Sequence, residues 1–167
     1  MDLLEGIYSR RSIRRYTEEP VTREQFREIV KAGTWAPSGQ NNQPWRFVTI
    51  TDRTILASLA KLTKYSHIIE KAPASIVVFI DRSTMYHEVK DHQSIGACLQ
   101  NMLLAAHGMG LGAVWLGEIL KSADAVRELL AVPKDMELMA VVVVGHPAGK
   151  GGTSSRRLVE EVLLKEL

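Results

Sequence analysis

Apolar positions along the chain fall into segments whose periods separate helices from strands. After a short segment over residues 3–8, Thr22 opens a helix with a definite signature. Thr22 and Gln25 have the T-x-x-Q spacing of a capping box, and Val21 and Phe26 are spaced as a hydrophobic staple. Phe26, Ile29 and Val30 give this helix its buried stripe, and it is expected to stop before Pro37. Residues 45–50 then read as a strand, 52–70 as one helix and 74–80 as a second, buried strand. Over 91–107, Ile95, Leu99, Met102, Leu103 and Ala106 form an apolar stripe, while Gly96, Ala97, Cys98 and Ala105 keep the adjoining faces slim. A helix apolar on so many sides belongs in a core or a subunit interface. The glycines of 108–112 end it, and 113–116 starts a short strand. Ser122 is placed to cap a short helix carrying Val126, Leu129 and Leu130. Residues 138–144 form a continuous apolar run suited to the interior of a sheet, 149–155 a loop, and 159–167 a short amphipathic segment.

These elements predict a three-layer α+β domain with three or four strands. With 167 residues, about 70% of the unfolded surface can be buried, which suits one domain spanning 1–167. An apolar fraction of 46% against 24% charged excludes a mainly disordered chain. The balance of 21 Lys and Arg against 19 Asp and Glu leaves a net charge of only +2, too small to argue for nucleic acid. The single cysteine, Cys98, cannot form an internal disulfide and sits between Ala97 and Leu99 as a core thiol, as expected in a reducing compartment. The N-terminus lacks the basic start and long apolar core of a signal peptide, and the apolar runs are too short for a membrane span. A soluble cytoplasmic chain is expected. The small sheet has several apolar helices to bury, which favours an oligomer.

Candidate chemistry concentrates in two places. Arg10, Arg11, Ser12 and Arg14 combine guanidinium forks with a hydroxyl, a good set for phosphate, although a solvated basic face has the same composition. Few aromatics interleave with these charges and no nucleic-acid reader accompanies them. Ser38, Asn41, Asn42 and Gln43 offer donors and acceptors that can read a heteroaromatic edge; turn and cap duties account for the same residues. His87, Glu88, Asp91 and His92 match no zinc spacing, so no metal is expected. Gly108-x-Gly110-x-Gly112 follows a helix and does not announce a dinucleotide fold. Trp35 and Trp45 suit either a ligand wall or packing.

Arg10-Arg11-Ser12-Ile13-Arg14, the stretch from Trp35 through Gln43-Pro44-Trp45-Arg46-Phe47, the helix through Gln100-Asn101 to Ala105-Ala106, and Gly110-Leu111-Gly112 with Trp115 and Gly117 occur together in order. In this combination the chain resembles the flavin-dependent nitroreductase family along essentially its whole length. The resemblance implies a small, mostly antiparallel sheet flanked by helices, in an intertwined homodimer with two FMN sites at the subunit interface. It further implies that Arg10, Arg11, Ser12 and Arg14 contact FMN, the arginines at the phosphate and Arg14 nearer the pyrimidine end, where it supports the reduced flavin. The partner subunit would contribute Pro37, Ser38 and Asn41. The backbone of Gly110, Leu111 and Gly112 would approach flavin N5, and Arg156 would close on the phosphate. Asn42 stands where the family usually has an aliphatic residue.

By that resemblance, NADH or NADPH delivers hydride to flavin N5, and a nitroaromatic, quinone or similar electrophile then removes it. The flavin carries the reaction, so no catalytic side chain is expected. Two alternatives stay open: a flavin-binding or delivery protein with little turnover, and flavin chemistry with oxygen or in dehalogenation. No nucleic-acid or membrane partner is expected beyond the homodimer and a small-molecule acceptor.

Overall fold

In the computed structural model, which describes residues 2–167, the two most continuously apolar runs occupy the middle of one sheet. β1 (Trp45–Ile50), β2 (Ala74–Asp81), β3 (Gly112–Leu116) and β4 (Met136–Gly145) are arranged in the order β1-β2-β4-β3, and every neighbouring pair is antiparallel. β2 is buried along its whole length, as is β4 over its last six residues, so both faces of the central pair need cover. Alternation divides that burden. Ile76, Val78, Ile80, Val142 and Val144 pack into one core, and Val77, Phe79, Val141 and Val143 into the other. The register slips between Val78 and Phe79, where β4 accommodates an extra residue at Met139.

Helices form the outer two layers. α1 (Leu3–Ser9) is short; α2 (Arg23–Thr34) and α5 (Glu88–Gly108) cover the first core. The Thr22–Gln25 box closes as expected: the Gln25 N–H donates to Thr22 Oγ1 at 3.1 Å, and the Thr22 N–H to Gln25 Oε1 at 2.8 Å. Val21 and Phe26 are both buried. All five residues of the expected α5 stripe are buried, and so is Cys98, whose thiol is pushed up to about 12 by desolvation. α3 (Arg53–Ala60), α4 (Ser66–Glu70) and α6 (Ala123–Leu129) cover the second core, and α7 (Val159–Val162) is a single exposed turn.

Two local expectations need correction. The helix expected over 52–70 divides into α3 and α4, because the turn between them is held by tertiary bonds. Thr63 Oγ1 donates to Glu118 Oε2 at 2.6 Å and the Lys64 N–H to the same oxygen at 3.1 Å. Lys121, then Thr63, holds the Glu118 carboxyl down to about 2, so it stays an acceptor. Ser122 makes no side-chain cap to α6. A 3-10 turn (Glu118–Ser122) runs directly into that helix, and Leu120 O takes the Ala123 N–H.

Thr22→Ala should lower stability by about 1 kcal/mol through the lost cap, and Leu99→Ala by about 2–5 kcal/mol through the cavity left in the first core. Urea unfolding of each variant measures both.

Candidate functional site

The basic run is an extended ribbon along the sheet edge. Arg10 is the C-cap of α1, with its N–H donating to Gly6 O, and the chain then leaves the helix alongside β3. Ser12 bridges Ala113 in the parallel sense, and the Ile13 N–H donates to Ala113 O at 3.0 Å. On its other flank the ribbon meets the chain leaving β4. The Ala148 N–H donates to Arg15 O at 3.0 Å, and the Thr17 N–H to His146 O at 2.9 Å. Buried Tyr16 ties the two sides together, its hydroxyl donating to Ile13 O at 2.5 Å and to Val143 O at 3.3 Å. Burial pushes the Tyr16 phenol above its ordinary value, so it remains a neutral donor. A Cβ on Gly112 would lie 2.6 Å from Ile13 Cγ2, so this glycine is required for the approach of the ribbon itself.

The ribbon carries charge that the protein leaves unneutralised. Arg10 is half-buried, and its Nε is fully covered without a hydrogen-bond partner. Burial first, then the neighbouring Arg156 and Arg11 guanidinium groups, lowers the Arg10 pKa. Arg11 Nη1 donates to Tyr8 O at 2.7 Å and Arg10 O at 2.9 Å, using one end of its fork on the carbonyl end of α1. Arg156 Nη1 is held by Ser154 Oγ and Ser155 O. Among the described residues none of Arg10, Arg11, Arg14 or Arg156 forms an ion pair. A cavity of about 210 Å³ opens between Ser12–Arg15 and the glycine-rich loop from Gly149 to Gly152. Neighbouring cations and an orphaned donor are what a bound anion would satisfy.

The second constellation lies elsewhere. A 3-10 turn (Gly39–Asn41) leads into β1, and three of its region's non-glycine residues are left-handed: Gln40 and Asn41 at φ 55° and Gln43 at φ 48°. Each costs about 1–3 kcal/mol against a relaxed backbone. The Gln43 N–H donates to Ser38 Oγ at 3.2 Å, and Asn42 Nδ2 donates to Asp91 Oδ1 at 2.7 Å and Thr84 O at 3.2 Å. Gly39 lies against the Tyr86 ring, where a Cβ would overlap the hydroxyl. Pro37 and Asn41 are exposed. This loop feeds β1 at one edge of the sheet, while the arginine ribbon lines β3 at the other. Four inter-strand spacings, about 19 Å, separate β1 from the ribbon.

The remaining candidates fall into place. Gly110, at φ 76°, makes the turn from α5 to β3, while Leu111 is buried. Trp45 is core, but Trp35 is 80% exposed. His92 bonds Glu88 O and Glu137 Oε1, and Asp91 accepts from Tyr86 and His87 N–H groups; among the described residues no three His, Cys, Asp or Glu side chains are grouped to hold a metal. Sequence reasoning missed Tyr16, whose signal was a hydroxyl-bearing aromatic directly after the basic run. It also missed the Asn42–Asp91 bond, which spans 49 positions and leaves no local trace.

Comparison with known proteins identifies similar sequences and structures. The profile described as Nitroreductase family matches residues 7–65 and 60–146. A provisionally assigned nitroreductase from Desulfovibrio desulfuricans, solved in complex with FMN, is 51% identical with a TM-score of 0.95, covering 100% of this chain and 98% of its own. A provisionally assigned NADH dehydrogenase/NAD(P)H nitroreductase from Archaeoglobus fulgidus is 36% identical over 87% of this chain and 86% of its own length. The NADPH:FMN oxidoreductase of Vibrio harveyi, solved with NAD+, is 30% identical with a TM-score of 0.87, covering 98% of this chain and 76% of its own.

Tyr16→Phe should cost about 1–3 kcal/mol of stability, since it leaves Ile13 O without its phenol donor in a partly buried setting. Urea denaturation measures it.

Proposed function

The chain belongs to the nitroreductase family, and on that premise we propose that it is an FMN-dependent NAD(P)H oxidoreductase acting on nitroaromatic, quinone or similar electrophilic acceptors. Residues 1–167 serve as one FMN-binding domain. The observation that carries this reading is Arg10: a half-buried guanidinium with an orphaned Nε, repelled by Arg11 and Arg156. A phosphate monoester supplies the missing charge and the missing acceptor in one group, so the donor set fits FMN.

In this reading Arg10, Arg11, Ser12 and Arg156 hold the phosphate. Arg14, exposed on the same ribbon, sets a permanent positive charge beside the pyrimidine end and so stabilises the reduced state. The backbone of Gly110, Leu111 and Gly112 approaches the flavin edge in this reading; Gly110 is exposed, while the Leu111 side chain and the Cβ position of Gly112 face internal packing. Bound FMN supplies hydride acceptance and donation at N5, and the protein's part is to bind, orient and polarise.

Pro37, Ser38 and Asn41 join this site across a subunit boundary in this reading, since in their own chain their loop feeds β1, at the sheet edge opposite the ribbon. A homodimer with interfacial sites resolves that separation. Leu3 (71% exposed), Trp35 and Leu164 (95%) supply apolar surface for such an interface. No helix among the described residues is long and apolar enough to cross a membrane. A cytoplasmic homodimer without nucleic-acid or membrane partners accords with this reading.

Flavin-loaded protein should be bleached anaerobically by NADH or NADPH and recoloured by a nitroaromatic or quinone. If folded, loaded protein is reduced by neither nicotinamide, the oxidoreductase reading is wrong. Arg10→Ala should weaken FMN binding about ten- to a hundredfold, the worth of a charge-assisted bond, as read by fluorescence titration. Arg14→Ala should slow flavin reduction, measured by stopped-flow absorbance. Sedimentation of the holoprotein should give a dimer.

A further inference from the structure

We propose that Asn42 and Asp91 form a positioning pair, holding the strained loop around Ser38–Gln43 in the shape with which it meets the flavin of the partner subunit. This rests on the FMN reading above and adds two residues that neither touch the phosphate site nor lie near it.

The pair is unusual in its chemistry. Asp91 is fully buried, yet among the described residues no cationic side chain forms an ion pair with it. Its needs are met by neutral donors of fixed position. Oδ2 accepts the Tyr86 and His87 N–H groups at 2.9 and 2.8 Å, and Oδ1 accepts Asn42 Nδ2 at 2.7 Å. Desolvation, the largest influence, pushes this carboxyl up, but the His87, Asn42 and Tyr86 bonds, with the charge of the His87 side chain beside them, hold it below its ordinary value. A buried carboxylate tolerates loss of a donor poorly, and the Asn42 amide can be replaced by no apolar residue without orphaning Oδ1.

The position of Asn42 makes the bond a lever on the loop. Asn42 is right-handed, at φ −72° and ψ −17°, between left-handed Asn41 and left-handed Gln43. Both hydrogens of its amide are committed to groups outside the loop, Asp91 at the start of α5 and Thr84 O in the turn before it. With residue 42 fixed, the strained torsions on either side set where the exposed Asn41 points and where Ser38 lies. Strain of this kind persists only where surrounding contacts over-determine it. Here the over-determination comes from the buried pair and from Tyr86 packed on Gly39.

The test compares Asn42→Leu, Asn42→Asp, Asp91→Asn and the swap Asn42→Asp with Asp91→Asn. In the swap, the amide oxygen at 91 can take the two backbone N–H groups while its nitrogen donates to the carboxylate at 42. Each single variant should raise the FMN Kd about tenfold or more and change the visible circular dichroism of the bound flavin. The swap should recover part of both, limited because a carboxylate oxygen then faces Thr84 O where Nδ2 donated and the other takes the buried, partnerless place of Asn42 Oδ1. Asn42→Leu keeps the loop filled with an apolar side chain of similar size. If it matches wild type in Kd and in flavin dichroism, or if the swap binds FMN no better than the single variants, the positioning role is overturned. Failure of folded wild-type protein to take up FMN would instead overturn the flavin reading on which the pair's role rests.

Discussion

The structure turns on one constraint: β2 and β4 are apolar on both faces. Val77 and Val78, or Val142 and Val143, are adjacent in sequence and buried on opposite sides of the sheet, so neither face can be left to water. α2 and α5 must cover one face and α3, α4 and α6 the other. With both faces consumed by packing, the two polar constellations are displaced to the two edges of the sheet. The arginine ribbon lies along β3, and the polar loop leads into β1. Their separation follows from the same arrangement, because β4 and β2 stand between them.

That displacement explains why the sites carry strain and charge that the core does not. Arg10, Arg11 and Arg156 repel one another, and left-handed Gln40, Asn41 and Gln43 are costly at every position. Both features oppose folding and both are kept, at places where the core gains nothing from them. Unfavourable local choices in an otherwise consistent sequence mark function. The scaffold bears these costs through specific tethers. Tyr16 fixes the ribbon between β3 and the segment following β4, and Asn42 fixes the loop to α5.

Much of this was legible in the sequence because it was local. The Thr22–Gln25 box, the α5 stripe and the four strands each rest on residues within one or two turns of each other. The arginine cluster was visible for the same reason. The failures were tertiary. Nothing local to 61–65 reports that Glu118, more than fifty positions away, claims Thr63 Oγ1 and the Lys64 N–H and so breaks the expected helix. Ser122 carried a valid capping signal that a continuous 3-10 turn made redundant. Asp91 stood among residues weighed for metal binding, while its real partner, Asn42, was counted with the loop. Gly112 was expected to bring its backbone close to a ligand; what local sequence did not show is that Ile13 fills the place its Cβ would take.

The last case shows how sequence signals for approach should be read. A glycine reports that something comes close, and it does not report what. At Gly112 the visitor is the ribbon, and at Gly151 it is Arg11, whose Cβ would lie 2.4 Å from an added Cβ. Both glycines therefore shape the proposed anion site indirectly, by letting Arg11 and Ile13 lie close against their neighbours. A cluster of guanidinium groups needs that closeness. Arg11 and Arg156 are each held at one nitrogen in advance, so they would need little reorganisation for the proposed anion, and the repulsion they exert on Arg10 would be relieved on binding. The affinity of such a site is thus set by how tightly the ribbon is held as much as by the number of charges it presents.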